Sequence, residues 1–408
     1  MIFLGAALTT RRALLQAAGS LAFAGDDLIR LVRAAALPSG AIESQRLETI
    51  AGKRPLIRRS ARPPNYESPL SCLDKPITPN DCFFVRWHHA NIATVAAHDW
   101  RLKVSGEAAA LSLELNLQQL RLDFEPVELI AVCQCAGNQR GLAEPHVPGV
   151  EWASGAVGNA RWKGVPLRDI LARVQPRREA LEIAFEGADA PVLPQSPKFM
   201  KSIPLWKALD QNTLIAYEMN GASLPEWNGF PVRLVVPGWA GTYWVKQLTT
   251  VNVLSRPLSS FWMSTAYRVP KGKYSVGDRF VSQESEVSTP LMEIDLNSII
   301  TNIKQGQQFP AGRSLTVHGV AWDSGSGIKR VECSLNRGKN WTSAMLGKDL
   351  GRYSFRTWQW SVTPRVPGGV TMMTRATNSQ GAVQPESWVP NGAGYHNNVV
   401  QQVEISIV

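Results

Sequence analysis

The alternation of apolar and polar positions changes character along the 408 residues, and the changes mark out the domains. Residues 37–82 are rich in Pro, Arg and Ser with little periodicity and predict an extended arm. From 83 to 280 two periods coexist. The runs 127–132, 181–185 and 232–237 predict strands. Leu167, Ile170, Leu171 and Val174 follow i, i+3, i+4, i+7 spacing after Pro166, which predicts a helix with proline at its first turn. This is the pattern of a mixed α+β domain. Residues 271–290 carry Lys, Gly, Ser and Glu without an apolar face and predict a linker. Past it, at 281–408, only β pattern remains. Strand-like runs at 314–322, 331–335, 353–360, 370–376 and 399–408 are separated by turns such as Asn336-Arg337-Gly338-Lys339. That spacing predicts an immunoglobulin-like sandwich.

The first 36 residues read as an address rather than as fold. Thr9-Thr10-Arg11-Arg12-Ala13-Leu14-Leu15-Gln16 precedes the small, apolar stretch 17–24, the layout of a twin-arginine export signal. Cleavage after Ala24 or after Ala36 fits equally, and either removes a net charge of two from the formal +10, leaving about +8. That route carries folded proteins, so the address hints at a cofactor inserted before export and at the periplasm as destination. Composition then narrows the class. With 44% hydrophobic and 19% charged residues the chain is globular, and no run of 18 apolar residues predicts a membrane span. Five cysteines are too few for a disulfide scaffold, although Cys72 and Cys82 enclose a loop short enough to bridge. The basic balance is compatible with nucleic acid, an anionic substrate or an acidic partner.

The sharpest local chemistry is Cys133-Gln134-Cys135-Ala136-Gly137-Asn138-Gln139-Arg140, where an apolar strand runs into a turn sequence. Two buried thiols or half of a zinc site would explain Cys-x-Cys, but no second Cys/His pair lies at zinc spacing. The glycine and the nearby Arg140 favour a reactive or ligating thiolate. The segment resembles the molybdenum-binding segment of the sulfite oxidase family, and the resemblance runs from about residue 80 to the C-terminus. It includes Phe83-Phe84-Val85-Arg86-Trp87-His88, Gly149-Val150-Glu151-Trp152, Gly158 through Leu167, Tyr217-Glu218-Met219-Asn220-Gly221, Gly229 through Gly238, and Tyr395-His396-Asn397-Asn398. Phe261 through Pro270 resembles in particular the bacterial periplasmic sulfite dehydrogenases.

The resemblance implies an α+β molybdopterin-binding domain of the sulfite oxidase type followed by a dimerisation sandwich. It further implies a molybdenum–molybdopterin cofactor and oxidation of sulfite to sulfate. Cys135 is the expected metal ligand, with Cys133 expected in the core on the opposite strand face. Arg86, Arg140 and Tyr267 are the expected catalytic residues, since planar guanidinium groups hold oxyanions by paired hydrogen bonds. Phe84, Val85, Arg86, Trp87, His88, Cys135, Asp189, Asn228, Arg233, Trp244, Val245 and Lys246 are the expected cofactor-binding residues. His146 is read as structural. No Arg accompanies Tyr395 where the family usually has one. The chain has no Cys-x-x-Cys-His for haem, so electrons are expected to leave singly to a c-type cytochrome. A homodimer is expected, and nucleic acid is not an expected partner. A related molybdenum-dependent sulfoxide reductase and a non-catalytic pterin-binding protein stay open as readings.

Overall fold

The computed structural model describes residues 46–272 and 286–408; the signal region and the central part of the expected linker lie outside them. What the sequence suggests as an arm is built into a sheet. Leu47–Glu48, Leu56–Ser60 and Asn65–Glu67 form an antiparallel sheet that ends on Val85–Arg86. Leu56, Tyr66, Val85 and Trp87 close a small core beneath it. The disulfide Cys72–Cys82, with Cα atoms 5.9 Å apart, ties the loop that follows.

Two larger sheets make the α+β part. One runs in the order Met200–Pro204, Glu182–Gly187, Leu248–Leu254, Arg101–Ser105, Leu113–Asn116, with one parallel pair in the middle. The other runs Ala222–Ser223, Leu214–Met219, Val157–Pro166, Val127–Gln134, with Arg233–Val235 joined to Leu214–Met219. The helix Leu167–Val174 starts behind Pro166 as the spacing predicts, and it buries Leu167, Ile170, Leu171 and Val174 against these sheets. Val127–Gln134 pairs with Val157–Pro166 in a register that sets Cys133 opposite Gly158. A side chain at Gly158 would run into the Phe83 ring, so glycine here lets the segment leading into Val85–Arg86 approach the sheet.

Past the small pair Arg268–Pro270 and Ser288–Pro290, the C-terminal part is two packed sheets. Asn297–Ile300, Leu315–Trp322, Arg356–Val362 and Met345–Leu346 form one. Gln308–Phe309, Gln401–Ile407, Gly368–Asn378, Ile328–Ser334 and Thr342–Ser343 form the other. Val317, Trp358 and Trp360 from the first meet Val331, Met372 and Val403 from the second. A further core joins the two halves of the protein: Val132, Val157, Ala240 and Tyr267 pack with Trp322, Phe355, Ala393 and Tyr395. Hydrogen bonds cross the same seam, from Val132 N to Tyr353 O at 2.9 Å and from Trp322 Nε1 to Gln134 Oε1 at 2.5 Å. Among the described residues no helix is long and apolar enough to cross a membrane.

Candidate functional site

A cavity lies where Val127–Gln134 ends and the strand Val85–Arg86 begins. Phe84, Arg86, His88, Cys135, Asn228, Arg233, Trp244, Lys246 and Tyr267 line it, so most of the residues singled out in the sequence converge. Alternation in the extended segment explains the first three. Residues 84, 86 and 88 face the cavity, whereas the side chains of Val85 and Trp87 point the other way into the small core. Val245 likewise lies in the main core, between Trp244 and Lys246, which do face the cavity. Only the backbone of these three remains available to a ligand.

The same alternation corrects the face expected for Cys133, which does lie in the main core as expected. Residues two apart in a strand share a face, and both Cys133 and Cys135 line the cavity. Burial pushes the Cys133 thiol up even though Arg233 Nη2 stands 3.9 Å from its sulfur. Cys135 opens a tight turn: its N–H donates to Ala156 O and its carbonyl accepts from Asn138 N, both at 2.9 Å. Asn138 Oδ1 in turn accepts from Ala156 N at 2.9 Å, which fastens the turn to the neighbouring strand.

Tyr267 sits across the cavity in a left-handed backbone conformation, φ 59°, one that non-glycine residues seldom adopt. Its hydroxyl is 2.6 Å from His88 Nε2 and accepts from Arg86 Nη2 at 3.3 Å. The His88 ring stacks on Phe199 with centroids 3.7 Å apart. Burial, then the charges of Arg86, Lys246 and Lys201, hold this imidazole well below its ordinary range. A neutral ring is therefore what meets the phenol.

Positive charge is in excess here. Among the described residues Arg86, Arg233 and Lys246 have no carboxylate within 4 Å; they are fixed by neutral groups. Arg233 donates to Asn228 O at 3.0 Å and to Trp244 O at 3.1 Å, and its guanidinium lies over the Trp162 and Trp244 rings. Lys246 Nζ donates to Arg86 O at 2.7 Å. Burial first, and Arg233 next, pull Lys246 down to about 7. Asp189 does not line the cavity; burial raises its carboxyl while Lys246 opposes the shift. Asn228 is partly engaged by the protein: Oδ1 accepts from Lys53 Nζ at 2.6 Å and Nδ2 donates to Phe84 O at 3.1 Å. It braces the cavity wall and keeps one N–H and one oxygen lone pair beyond these two bonds.

Arg140 is also set back. Its side chain does not line the cavity; Nε donates to Ala393 O at 2.7 Å, Nη1 to Val150 O at 3.2 Å, and the guanidinium packs on the Tyr395 ring at 5.2 Å. Gly394, at φ 60°, allows this C-terminal segment to come close, since a Cβ there would meet Arg140 Cγ at 2.8 Å. Tyr395, from the C-terminal half, stacks on Tyr267 with centroids 5.5 Å apart and planes 15° from parallel. It occupies the neighbourhood where the sequence lacks an arginine. The sequence shows that gap but not the stack; it gives no sign of Phe199 in the cavity wall, and it marks Gly241-Thr242-Tyr243 only as a departure from the family pattern, without a role for Thr242. His146 pairs with Glu151 at 3.2 Å, consistent with a structural role.

The donor set fits a large anionic cofactor. Arg233 Nε and Thr242 Oγ1 are buried without a partner among the described residues, and three cations await negative charge. No group of three His, Cys, Asp or Glu side chains among the described residues could hold a metal ion. A metal beside Cys135 would therefore take its remaining ligands from a non-protein group, as a dithiolene cofactor supplies.

Comparisons with known proteins agree with this geometry. Residues 89–262 match the model of an oxidoreductase molybdopterin-binding domain, and residues 288–408 match a Mo-co oxidoreductase dimerisation domain. Mitochondrial sulfite oxidase of Mus musculus is 34% identical over 372 residues, covering 87% of this chain and 66% of that protein. Sulfite oxidase of Gallus gallus is 35% identical over 345 residues, covering 81% and 73% respectively. The crystal structure of the sulfane dehydrogenase SoxCD from Paracoccus pantotrophus superposes with a TM-score of 0.72 at 27% identity, covering 85% of each chain. The chain spans about two thirds of the length of the mitochondrial relatives. Fold and site together define a molybdopterin-dependent oxidoreductase, with a molybdenum–molybdopterin cofactor and a C-terminal dimerisation domain. Within that class, the chain belongs to the sulfite oxidase family.

Proposed function

We propose that this protein is a periplasmic sulfite dehydrogenase: sulfite and water give sulfate, two protons and two electrons, and the electrons pass singly to a c-type cytochrome. The observation that carries the reading is the convergence of Arg86, His88 and Tyr267 on one hydrogen-bonded cluster beside Cys135, in a cavity whose cations have no carboxylate partner among the described residues. In this reading the Cys135 thiolate ligates the metal. Arg233, Lys246, Thr242 and the backbone around Trp244 hold the pterin and its phosphate, and Asp189 tempers the charge of Lys246 from behind. The bound molybdenum centre supplies the two-electron redox chemistry at the sulfur atom.

The residues of the chain do the rest. Arg86 binds an oxyanion edge through its guanidinium. Tyr267 offers its hydroxyl to the same anion, and neutral His88 takes up the phenol's hydrogen bond when the pocket is empty. Arg140 adds positive charge from the second layer through Tyr395. Phe199 and Trp262, packed around His88, narrow the entrance to a small anion. The remaining features complete the reading: export by the twin-arginine route, a homodimer through the C-terminal domain, and an immunoglobulin-like topology for that domain's two sheets.

The test is direct. Holoenzyme carrying about one molybdenum per chain is assayed for sulfate formation with ferricyanide and with cytochrome c, and for reduction of dimethyl sulfoxide in the reverse sense. Stoichiometric sulfate formation coupled to cytochrome reduction is expected. Sulfoxide reduction without sulfite oxidation would replace this reading with the reductase, and a molybdenum-free protein with no turnover would leave a binding module.

A further inference from the structure

Lys201, in the strand Met200–Pro204, belongs to none of the motifs that define the site, and its side chain is fully buried. Among the described residues its ammonium makes one hydrogen bond, from Nζ to Trp262 O at 2.7 Å. It has no carboxylate within 4 Å among the described residues. Two aromatic faces lie against it, with Nζ 4.5 Å from the Tyr243 ring centroid and 5.2 Å from that of Tyr267, and Arg268 is a further cation nearby. A buried, unpaired ammonium is expensive to keep, and a lysine that served only for packing would be better replaced by an apolar side chain. The charge has a line of contact into the site. Lys201, Tyr267, Tyr395 and Arg140 follow one another at 5.2, 5.5 and 5.2 Å, so the two stacked phenols have a cation against each.

We propose that Lys201 is a positioning residue of the anion site: its ammonium holds the Tyr267 ring with the hydroxyl toward Arg86 and His88, and its charge adds to the field that attracts the oxyanion. Cation–π attraction to a desolvated ring can fix a phenol that sits in a strained backbone conformation. The titratable and charged groups facing Lys201 are Tyr243, Tyr267, Arg268 and His88; none of them is an anion at neutral pH. Burial, and then Arg268, pull the amine down to about 7. A bound dianion would restore its proton, so that anion binding and the charge on Lys201 support each other.

The inference rests on the anion-site reading above, and the experiment separates the two. The full chain with its molybdenum cofactor is prepared as parent, Lys201→Met, Lys201→Gln and Lys201→Arg, and molybdenum content and thermal midpoint are recorded first. Sulfate affinity is then measured by calorimetry, and KM and kcat for sulfite by steady-state assay. Both neutral variants are expected to weaken sulfate binding and raise KM about tenfold, with kcat within about twofold, while Lys201→Arg recovers most of the affinity. Tenfold corresponds to about 1.4 kcal/mol. Two neutral variants are used so that misfolding of one does not decide the matter. Unchanged sulfate affinity and KM in a folded, loaded neutral variant would overturn the proposal, as would a kcat loss with no change in KM. If the parent binds sulfate but oxidises no sulfite, the functional reading fails and the calorimetric comparison still decides the role of Lys201. A parent that binds no sulfate overturns both.

Discussion

Replacing Arg86 with Met removes the cation that stands nearest the Tyr267 hydroxyl, and the structure sets the size of the effect. Arg86 Nη2 is 3.3 Å from that hydroxyl. An anion that accepts the phenol's hydrogen bond would lie some 3 Å beyond it, placing its charge about 5 Å from the guanidinium. At an effective dielectric of about 20, one charge pair at that separation is worth about 3 kcal/mol. This agrees with the roughly 2–5 kcal/mol lost when one partner of a buried charge pair is truncated. Loss of 3 kcal/mol predicts roughly a hundredfold rise in KM for sulfite and an equal loss of sulfate affinity. Little of the change should come from folding, because among the described residues Arg86 has no carboxylate partner to strand; its remaining side-chain bonds go to Asn65 Oδ1 at 3.3 Å and to the carbonyl of Trp87. The check is steady-state kinetics with sulfite and titration with sulfate, on Arg86→Met with the same molybdenum content as the parent. A KM within threefold of the parental value would refute the placement of the anion against Arg86.

Three further outcomes are expected. Cys135→Ser should fold and retain pterin but lose sulfite turnover, since a hydroxyl is a harder and weaker partner than thiolate for this metal, whereas Cys133→Ser should be much milder; parental turnover in the first variant would displace the ligand assignment. Converting Cys72 and Cys82 to Ser should lower stability by about 3 kcal/mol, from the loop entropy of a bridge of this span, and an unchanged urea midpoint would show that the cross-link does not constrain the unfolded chain. Lys53, buried beneath Asn228, is lowered to about 7 by burial, with Asp81 opposing. Between pH 7 and its ordinary value near 10.5 the unfolded chain therefore holds a proton that the folded protein lacks, so this group makes stability rise with pH. Urea unfolding of the cofactor-free protein between pH 7 and 9 should show a slope up to about 1.4 kcal/mol per pH unit steeper for the parent than for Lys53→Met, and parallel slopes would count against the shift.

What the sequence revealed and what it hid divide along the range of the forces involved. The strands at 314–322, 370–376 and 399–408 were legible because alternation is a local consequence of burying one face of a sheet; they appear as Leu315–Trp322, Gly368–Asn378 and Gln401–Ile407. The cavity side chains Phe84, Arg86 and His88 were legible as a motif, and the period of two separates them from Val85 and Trp87. Residues 46–82 lacked periodicity because their strands are short, two to five residues, and are defined by pairing with a strand further along the chain. Arg140 was legible as a cation near the cysteine, but its retreat behind Tyr395 depends on a carbonyl 253 residues away. Lys201 gave no signal at all, since a lysine in a strand normally reads as a solvent-facing residue; its burial comes from Tyr243, Trp262 and Tyr267, each distant in sequence.

The seam between the two halves has a consequence for how such a protein can be rearranged. Tyr267 rests on Tyr395, Arg140 is held by Ala393, and Val132 and Val157 share a core with Trp322 and Phe355. The C-terminal domain thus backs the lining of the chamber, through Tyr395 behind Tyr267 and Ala393 behind Arg140, as well as offering a surface for association. Grafting this domain from a relative, a natural step when two modules recombine, would not only change who pairs with whom; it would replace the residue that backs the phenol and the carbonyl that fixes the outer guanidinium. A chimera could assemble correctly and still be detuned toward its anion, so the two modules are expected to be inherited and altered as a matched pair.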